Sequence, residues 1–597
     1  MISRRNYLSM IIMIAVLCGI FLFVMIVQNG NAYDINEFVV KELPSGQDCW
    51  QASGDEELVL FFGSRDTALE STMKQWCDYT KRGFLRKEQI SEYDRETDGL
   101  PMLILLDAEH LELGGECEEL LELATLGVPM VFCTLPETSK LLESPVLREI
   151  LGVEVVEEEV TVEGIRLFEG FFYGGAKDYV ATTEEEMELQ DFDLTVPWLI
   201  THSGTKTYMV GIMEKQRVKE GYYPCLLWRN SFEGIKVFAV CGDYMSSLSG
   251  LGILSSFLYE LRPYDIYPVV NAQNVVVHNF PSFSAENEAT ILELYSRDPE
   301  MYFQGIMWPS ISAMSKTNAL RLTCLFKPEF DHADTRRPQK DEVPFYLKQL
   351  KEVTGEAGVS LSRNEYCSFE EMLKTDVEFF QSLDSQYRYQ VTFAEDGDLE
   401  NVKEAAEKER FLYRPVTVGA HYESGDVLLS YLMEDITLQR MTGNAKQHTY
   451  VDDFIVRSVQ TALLYSNVLL DLRNAIWPQE ESDQWQLFFE EMSSNVSTYW
   501  SGNSGLTQTT LSESDFRVRK FLNLDYSHER YDNEIVLTIK NMAGEVWFLL
   551  RTHEEKITQI RGGSYEKLEA GMYLIAAEDA VVEIELEPLS LKELEEE

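Results

Sequence analysis

Short apolar runs alternate with helix-like stretches from Glu57 onward, and this alternation restricts the possible folds more than any other feature of the chain. The clearest runs are ELVLFFG (Glu57–Gly63), LPMLILLD (Leu100–Asp107) and VPMVFCT (Val128–Thr134). Strands that are apolar at every position are typical of a parallel sheet with helices packed on both faces. The sequence therefore predicts an α/β domain with a parallel sheet over residues 57–262.

The same rhythm continues through the middle of the chain, with longer helical stretches between the strands. Strand-like segments occupy Tyr267–Pro281, Arg321–Asp334, Tyr387–Asp396 and Phe411–Tyr422. Strands that alternate with helices over about 240 residues are typical of a βα barrel. A βα barrel is therefore predicted over residues 263–510.

The pattern changes to strands alone near the C-terminus. The runs EIVLTIKN and EVWFLLRT are joined by Met542-Ala543-Gly544, which is typical of a hairpin. The run GMYLIAAEDAVVEIELEP continues the alternation of apolar and polar residues. We therefore predict a β-sandwich over residues 511–597.

An uncharged apolar run at residues 8–27 follows Arg4-Arg5. A run of this length spans about 30 Å as a helix, enough to cross a bilayer, and its basic flank is expected inside the cell. The sequence thus predicts a cytoplasmic tip (1–7), a transmembrane anchor (8–27), a stalk (28–56) and a single-pass cell-membrane protein whose bulk is extracellular. A cleaved signal peptide stays open as an alternative, with Gly30-Asn31-Ala32 as its cleavage site.

The charge of the chain restricts its partners. Asp and Glu number 101 against 51 Lys and Arg, which gives a net charge of −50. Such a surface repels phosphate backbones, so no nucleic-acid partner is expected, whereas a cationic or neutral partner is compatible. The nine cysteines form no C-x-x-C pair, and there is no P-loop, G-x-G-x-x-G or H-E-x-x-H motif, so we predict no cofactor.

The order of these predicted parts resembles that of an uncharacterised family of membrane-anchored Gram-positive bacterial proteins, and so does the run Tyr267-Pro268-Val269-Val270-Asn271-Ala272-Gln273-Asn274. That family is linked to exopolysaccharide loci, including Pel-type loci. The resemblance implies an amidotransferase-like fold for the α/β domain and a degenerate polysaccharide-deacetylase-like barrel after it. It also implies a polysaccharide and exopolysaccharide-assembly proteins as partners.

The α/β domain lacks the residues that amidotransferase chemistry needs. That chemistry requires an exposed cysteine on a sharp elbow, a histidine base and a carboxylate. Cys133 ends the third strand but has no flanking glycine, and His202 is followed by Ser203-Gly204 instead of Pro-Glu. We therefore expect a buried strand cysteine and a loop histidine.

The barrel lacks the metal ligands of the deacetylases that it resembles. Those enzymes hold a divalent ion with one aspartate and an H-x-x-x-H pair. The resemblance places Ser360 and Asn364 at the two histidine positions, and the chain contains no H-x-x-x-H. The sequence therefore predicts that there is no metal site.

Acidic residues that follow predicted strands remain as catalytic candidates, because barrel enzymes place catalytic groups at the carboxyl ends of strands. Asp331 and Asp334 are the predicted catalytic residues. The predicted substrate-binding residues are Asn271, Asn274, His332, Glu395 and Asp396. A glycosidase pair of carboxylates is one further interpretation, and solvated loops and turn caps are the structural ones.

Two functions stay open. The first is an extracytoplasmic, membrane-anchored component of exopolysaccharide export or modification, a binding or scaffold protein with degenerate enzyme folds. The alternative is an active polysaccharide deacetylase or other carbohydrate hydrolase with a non-standard site. The acidic surface further predicts that the polysaccharide is a cationic amino-sugar polymer.

Overall fold

The structure is a computed structural model that describes most of the chain. The described residues are 13, 43–54, 56–114, 117–183, 186–189, 191–192, 194–213, 223–284, 286–330, 338–363, 367–383, 387–395, 397–408, 415–501, 505–590 and 593. Sheet-rich regions follow one another along these residues, so the protein is multidomain.

The structure contradicts the predicted membrane anchor. Crossing a bilayer takes about 20 consecutive apolar residues in one helix, and no helix among the described residues is long and apolar enough. Of the predicted span 8–27 only Met13 belongs to the described residues, and the predicted tip at 1–7 and the stalk up to residue 42 lie outside them. The predictions of a single-pass membrane protein and of a membrane location are therefore wrong, and the extracellular placement that depended on them has no support.

The first region contains eleven strands and six helices among the described residues. The strands are β1 (Leu58–Phe62), β2 (Gly83–Lys87), β3 (Leu103–Asp107), β4 (Met130–Thr134), β5 (Val153–Val162), β6 (Gly164–Leu167), β7 (Lys177–Tyr179), β8 (Leu194–Thr201), β9 (Lys206–Ile212), β10 (Cys225–Phe232) and β11 (Ile235–Val240). The helices are α1 (Ala68–Thr80), α2 (Arg95–Asp98), α3 (Glu118–Ala124), α4 (Thr138–Glu143), α5 (Pro145–Leu151) and α6 (Ser249–Leu261).

Nine of these strands form one sheet in the order β2-β1-β3-β4-β11-β10-β9-β6-β7. The first five are mutually parallel, and nearly all apolar side chains of β1, β3, β4 and β11 are buried. The other four are antiparallel, because short connections such as Glu233-Gly234 between β10 and β11 join neighbours directly. The predicted parallel sheet is therefore a mixed sheet, and β5 and β8 form a separate two-stranded arm.

The second region contributes ten strands and nine helices among the described residues. The strands are β12 (Tyr264–Val269), β13 (Ala272–His278), β14 (Leu322–Phe326), β15 (Glu356–Ser360), β16 (Val391–Ala394), β17 (Thr417–Ala420), β18 (Leu429–Met433), β19 (Ile436–Arg440), β20 (Gly443–Asn444) and β21 (Tyr465–Asp471). The helices are α7 (Glu288–Tyr295), α8 (Pro299–Tyr302), α9 (Trp308–Thr317), α10 (Val343–Glu352), α11 (Phe369–Gln381), α12 (Leu399–Glu407), α13 (Tyr450–Leu463), α14 (Arg473–Ile476) and α15 (Trp485–Tyr499).

Nine of the ten strands form a curved sheet in the order β18-β19-β17-β16-β15-β14-β13-β21-β20. All neighbours are parallel except β18 and β19. β19 ends at Arg440 near one edge of the sheet, and β20 begins at Gly443 at the other edge. Between these edges, the side chain of Asn467 on β21 donates to the Gln439 carbonyl on β19. The sheet is thus a half-barrel in place of the predicted barrel.

The last region contains one helix and seven strands among the described residues. They are α16 (Leu511–Asn523), β22 (Tyr526–Tyr531), β23 (Glu534–Ile539), β24 (Val546–Thr552), β25 (Glu555–Arg561), β26 (Gly563–Glu569), β27 (Met572–Ala577) and β28 (Val581–Pro588).

Two antiparallel four-stranded sheets, β12-β24-β27-β26 and β22-β23-β28-β25, pack around one apolar core. β12 lies among the residues predicted for the barrel, yet it pairs along its whole length with β24. α16 lies among the residues predicted for the sandwich, yet its first residue, Leu511, packs inside the half-barrel against Val276 and Phe393. The predicted barrel therefore contributes β12 to the sandwich, and the predicted sandwich contributes α16 to the half-barrel.

Candidate functional site

Four strands bring polar residues to the carboxyl end of the half-barrel. β13 ends at His278 and β21 at Asp471, and these two residues are partners in the parallel ladder. β15 ends at Ser360, and Glu395 follows β16 directly. The carboxyl ends of parallel strands share one edge, where barrel enzymes place their functional groups. The candidate site consists of His278, Asn279, Ser360, Glu395, Asp471 and Arg473.

Asn279 lies at the centre of the site and is fully buried. Its φ of 62° places it in the left-handed region, which asparagine tolerates better than most residues. The Ser360 hydroxyl donates to Asn279 Oδ1 at 2.7 Å, and Asn279 Nδ2 donates to Asp471 Oδ1 at 2.7 Å. The Asn279 amide is therefore satisfied by protein groups on both sides, and this part of the site carries the single charge of Asp471.

Glu395 is the most strongly perturbed acid of the site. Burial raises its pKa, but the close approach of His278, the hydrogen bond from Ser362 and the charge of Arg473 outweigh this effect and lower the pKa to about 2. The distances from Glu395 Oε1 are 3.7 Å to His278 Nε2 and 3.5 Å to Arg473 Nη1, and the Ser362 hydroxyl donates to the same oxygen. The first distance is too long for a hydrogen bond. Glu395 is thus ionised throughout the neutral pH range.

His278 is 1% exposed, and neither ring nitrogen has a hydrogen-bond partner among the described residues. Its ring centroid lies 4.5 Å from that of Phe393, and the ring of His421 contacts the same phenylalanine edge-on at 5.1 Å. A buried polar nitrogen without a partner costs on the order of 1–3 kcal/mol. The His278 imidazole is therefore a buried polar group that the described part of the protein leaves unsatisfied.

Arg473 covers the site from the side of β21. Its backbone N–H donates to Asp471 Oδ1 at 2.9 Å, and its Nη2 donates to the Arg363 carbonyl at 2.7 Å. The guanidinium carbon lies 5.7 Å from the ring centroid of Phe330. Arg473 therefore holds a fixed cation beside the Glu395 carboxylate, with about a third of its side chain exposed.

The residues of the site do not form a metal centre. Within the part of the chain that the structure describes, no group of three or more His, Cys, Asp or Glu side chains could hold a metal ion. Ser360, the residue at the first expected histidine position, donates its hydroxyl to an amide, and Asn364 lies outside the described residues. The Ser360 hydroxyl and the Asn279 amide are poor ligands for zinc, and Asp471 supplies the carboxylate next to them.

The structure places only some of the predicted site residues. Glu395 belongs to the site, as described above. The predicted residues outside the described part of the chain are Asp331, His332, Asp334 and Asp396. Phe330, which directly precedes Asp331 in the chain, is buried, and its ring contacts Arg473. The predictions for Asp331, His332, Asp334 and Asp396 stay predictions.

Asn271 and Asn274 are buried away from this edge. Asn271 precedes β13, and its Oδ1 accepts a hydrogen bond from the Thr507 N–H at 3.1 Å. Asn274 lies within β13, and its Oδ1 accepts from the Thr509 hydroxyl at 2.6 Å. Both side chains thus fasten the segment that enters α16 to the half-barrel, and the structure does not bring them together with Glu395.

Sequence patterns missed most of the site. His278-Asn279 follows the apolar run NVVV, and Asp471 and Arg473 follow the apolar run NVLL, so each pair carries the signal of a strand end. Asp331 also follows an apolar run, so a position after a strand does not by itself distinguish the residues of the site from Asp331. The pairing of β13 with β21 could not be predicted, because their paired residues His278 and Asp471 are far apart in the chain.

The α/β domain contains no amidotransferase triad among its described residues. Cys133 is fully buried, and burial raises the pKa of its thiol far above the ordinary value. Its sulfur contacts the Met73 sulfur, while His202 lies in an exposed turn where its Nδ1 accepts from the Gly204 N–H. This arrangement is a core cysteine and a loop histidine.

No protein-family model matches the sequence, and no curated protein matches it either. Among solved structures, the chain is similar to one described as Agd3, a novel carbohydrate deacetylase, with 9% sequence identity and a TM-score of 0.51. The match covers 90% of this chain and 99% of that chain. At this identity the likeness shows the fold alone, and it confirms a deacetylase-like fold. It does not bear on the predicted amidotransferase likeness or on the link to exopolysaccharide loci.

Two further structures match with much lower scores. The exo-β-1,4-mannosidase Op5Man5 from Opitutaceae bacterium strain TAV5 has a TM-score of 0.23 and 10% identity, over 34% of this chain and 35% of that chain. A ThuA-like protein from Bacteroides uniformis ATCC 8492 has a TM-score of 0.21 and 9% identity, over 37% of this chain and 93% of that chain. Scores in this range support no conclusion.

Proposed function

We propose that this chain binds a polysaccharide at the carboxyl end of its half-barrel and serves exopolysaccharide export or modification as a binding or scaffold protein, not as an enzyme. One observation carries the proposal. At the first position where the resemblance places a metal-ligating histidine, Ser360 instead donates its hydroxyl to the buried Asn279 amide. A pair of neutral groups cannot polarise an acetyl carbonyl as a metal ion does.

The remaining groups of the site suit a sugar ring. Glu395 and Arg473 are partly exposed and present a carboxylate and a guanidinium side by side. Vicinal hydroxyl groups of a pyranose can donate to the first and accept from the second. Because both side chains are held by protein contacts, little side-chain entropy is lost when a sugar binds.

The charge of the chain favours a cationic amino-sugar polymer as the ligand. A net charge of −50 raises the local concentration of a cationic polymer and speeds its encounter with the protein. Within the site, Glu395 and Asp471 provide two carboxylates against the single guanidinium of Arg473. An ammonium group on the bound sugar would balance this difference.

Titration calorimetry of the full chain with a glucosamine oligomer and with its fully N-acetylated counterpart tests the proposal. We expect the glucosamine oligomer to bind, and its binding to weaken as salt screens the exposed charges over about 8 Å. Glu395→Gln should weaken binding by roughly tenfold, whereas Glu400→Gln, a change at an exposed carboxylate on α12, should not. Equal binding of both oligomers, or no effect of Glu395→Gln, would contradict the proposal.

A second function, metal-independent hydrolysis, is favoured by one specific observation. His278 lies 3.7 Å from the ionised Glu395, an arrangement in which a carboxylate orients an imidazole that acts as a general base. Asp331 and Asp334 are the proposed catalytic carboxylates of this alternative. The binding proposal, in contrast, predicts that the chain does not hydrolyse the polysaccharide although His278, Glu395, Asp331 and Asp334 are all present.

Acetate release from the N-acetylated oligomer distinguishes the two functions. The binding proposal expects no release above the rate of the His278→Gln variant, with or without a chelator. Release that His278→Gln or Asp331→Asn abolishes would instead establish a hydrolase. Release that only the chelator abolishes would show that a metal is held despite Asn279 and Ser360.

A further inference from the structure

A groove of about 910 Å³ lies at the opposite, amino end of the half-barrel. It is bounded by α16, by the turn between β23 and β24, and by residues that precede three strands of the sheet, namely Arg321, Gln390 and Val416. This volume lies in the range of small-molecule binding sites. None of the residues of the proposed polysaccharide site lines it, so its function is independent of that proposal.

Arg517 on α16 is the most informative residue of the groove. Its guanidinium carbon lies 4.0 Å above the ring centroid of Trp547, and its Nη1 donates to the Asn271 carbonyl at 2.5 Å. No carboxylate of the described residues lies within ion-pair distance of it, and its Nε and Nη2 have no hydrogen-bond partner there. Arg517 is thus a fixed cation whose free edge has the geometry that binds a carboxylate in two-point fashion.

Acidic residues line the groove, but none among the described residues forms an ion pair with Arg517. Burial lowers its pKa, and Glu545 and Glu513 oppose this effect only in part. Two of the acids that line the groove pair with other arginines: Glu513 pairs with Arg321 at 2.6 Å, and Asp515 pairs with the buried Arg519.

Neutral polar groups complete the wall. Gln508 lines the groove, and both polar atoms of its side-chain amide are buried without a hydrogen-bond partner among the described residues. Thr507, Ser512 and Gln390 lie on the same wall and add hydroxyl and amide groups. A buried amide without partners is destabilising, so a ligand with hydroxyl groups would satisfy what the protein leaves open.

We propose that this groove binds a uronic-acid residue of an acidic saccharide, with Arg517 as the ligand of the sugar carboxylate and Gln508 as a partner of the sugar hydroxyls. The Trp547 ring keeps the guanidinium in place, and the Asn271 carbonyl fixes its orientation. A neutral sugar leaves Arg517 without a counter-charge, and a small inorganic anion leaves the amide of Gln508 without a partner.

Calorimetric titration of the full chain with trigalacturonic acid, its fully methyl-esterified form and inorganic phosphate tests this assignment. We expect the acid trimer to bind at least about tenfold more tightly than the ester, because only the acid offers the charge-assisted pair with Arg517. Arg517→Gln should remove this preference. Arg517→Lys keeps the charge and a donor for the Asn271 carbonyl, so it should retain a folded protein with intermediate affinity.

Arg561→Gln provides the matched control, because Arg561 is an exposed arginine on β25 that contacts only surface glutamates. It should leave the affinity for the trimer unchanged. Equal affinities for acid and ester, or equal affinities of Arg517→Gln and the unchanged chain, would overturn the proposal. Phosphate that binds as tightly as the trimer and competes with it would show a simple anion site and would also overturn it. The glucosamine oligomer should not compete with the trimer, whichever function the opposite end proves to have.

Discussion

Replacing Glu395 by glutamine should destabilise the protein in a pH-dependent way. The carboxylate has a pKa of about 2 in the folded chain against an ordinary value of 4.5. This difference corresponds to about 3 kcal/mol of favourable interaction with the ionised form. Because Glu395 is about a quarter exposed, most of this interaction is protected from solvent screening.

The pH dependence follows from the direction of the pKa change. A carboxylate whose folded pKa is lowered contributes its full stabilisation above the unfolded pKa and loses it as the pH falls through the folded pKa. Glu395→Gln should therefore cost about 3 kcal/mol near pH 7 and about 1.5 kcal/mol near pH 3. The window of change runs from 4.5 down to about 2.

Urea denaturation followed by tryptophan fluorescence at both pH values measures this difference. Glu400→Gln is the control, because the Glu400 side chain is 86% exposed and should change the free energy of unfolding by less than about 0.5 kcal/mol. A cost below about 1 kcal/mol near pH 7, or a cost that does not shrink on acidification, would refute the reasoning. It would mean that His278, Ser362 and Arg473 do not stabilise the ionised carboxylate as the distances indicate.

Three further changes have definite expected outcomes. Lys327→Met removes the cation of a fully buried ion pair with Asp376, 3.0 Å long, and should cost about 3–5 kcal/mol. Replacing Lys327 by Met and Asp376 by Leu together should restore most of this loss in the same urea assay. Gly252→Ala would place a Cβ atom 2.4 Å from the Ser458 carbonyl oxygen where α6 meets α13, so a lower melting temperature, equivalent to about 1–3 kcal/mol, is expected in calorimetry. Cys133 should react with iodoacetamide only in denaturant, and peptide mass spectrometry that finds it alkylated in the native protein would contradict its burial.

The sequence predicted the multidomain, sheet-rich organisation, because periodicity is a local property of the chain. It could not predict which strands pair over long distances. The position of β12 beside β24 and the pairing of β11 with β4 depend on contacts between distant segments. The apolar run at 8–27 was equally local evidence, and the predicted anchor is the expectation that the structure contradicts.

The candidate site illustrates the same limit. Glu395 was predicted because it follows a strand, and the structure places it among the site residues. Asp471 and Arg473 follow a strand too, but nothing in the sequence shows that β21 lies beside β13. Asn271 and Asn274 were predicted as sugar ligands because they follow a predicted strand, and their amide oxygens accept hydrogen bonds within the protein.

The pairing of β12 with β24 has a consequence during synthesis. Val269 pairs with Trp547, 278 residues later in the chain. At ribosomal rates of about 5–20 residues per second, β12 emerges roughly 15–55 s before its partner. During that interval the nascent chain exposes an apolar strand with unpaired backbone groups, which is a template for aggregation. We therefore expect the yield of folded protein to depend on chaperones that hold the half-translated chain.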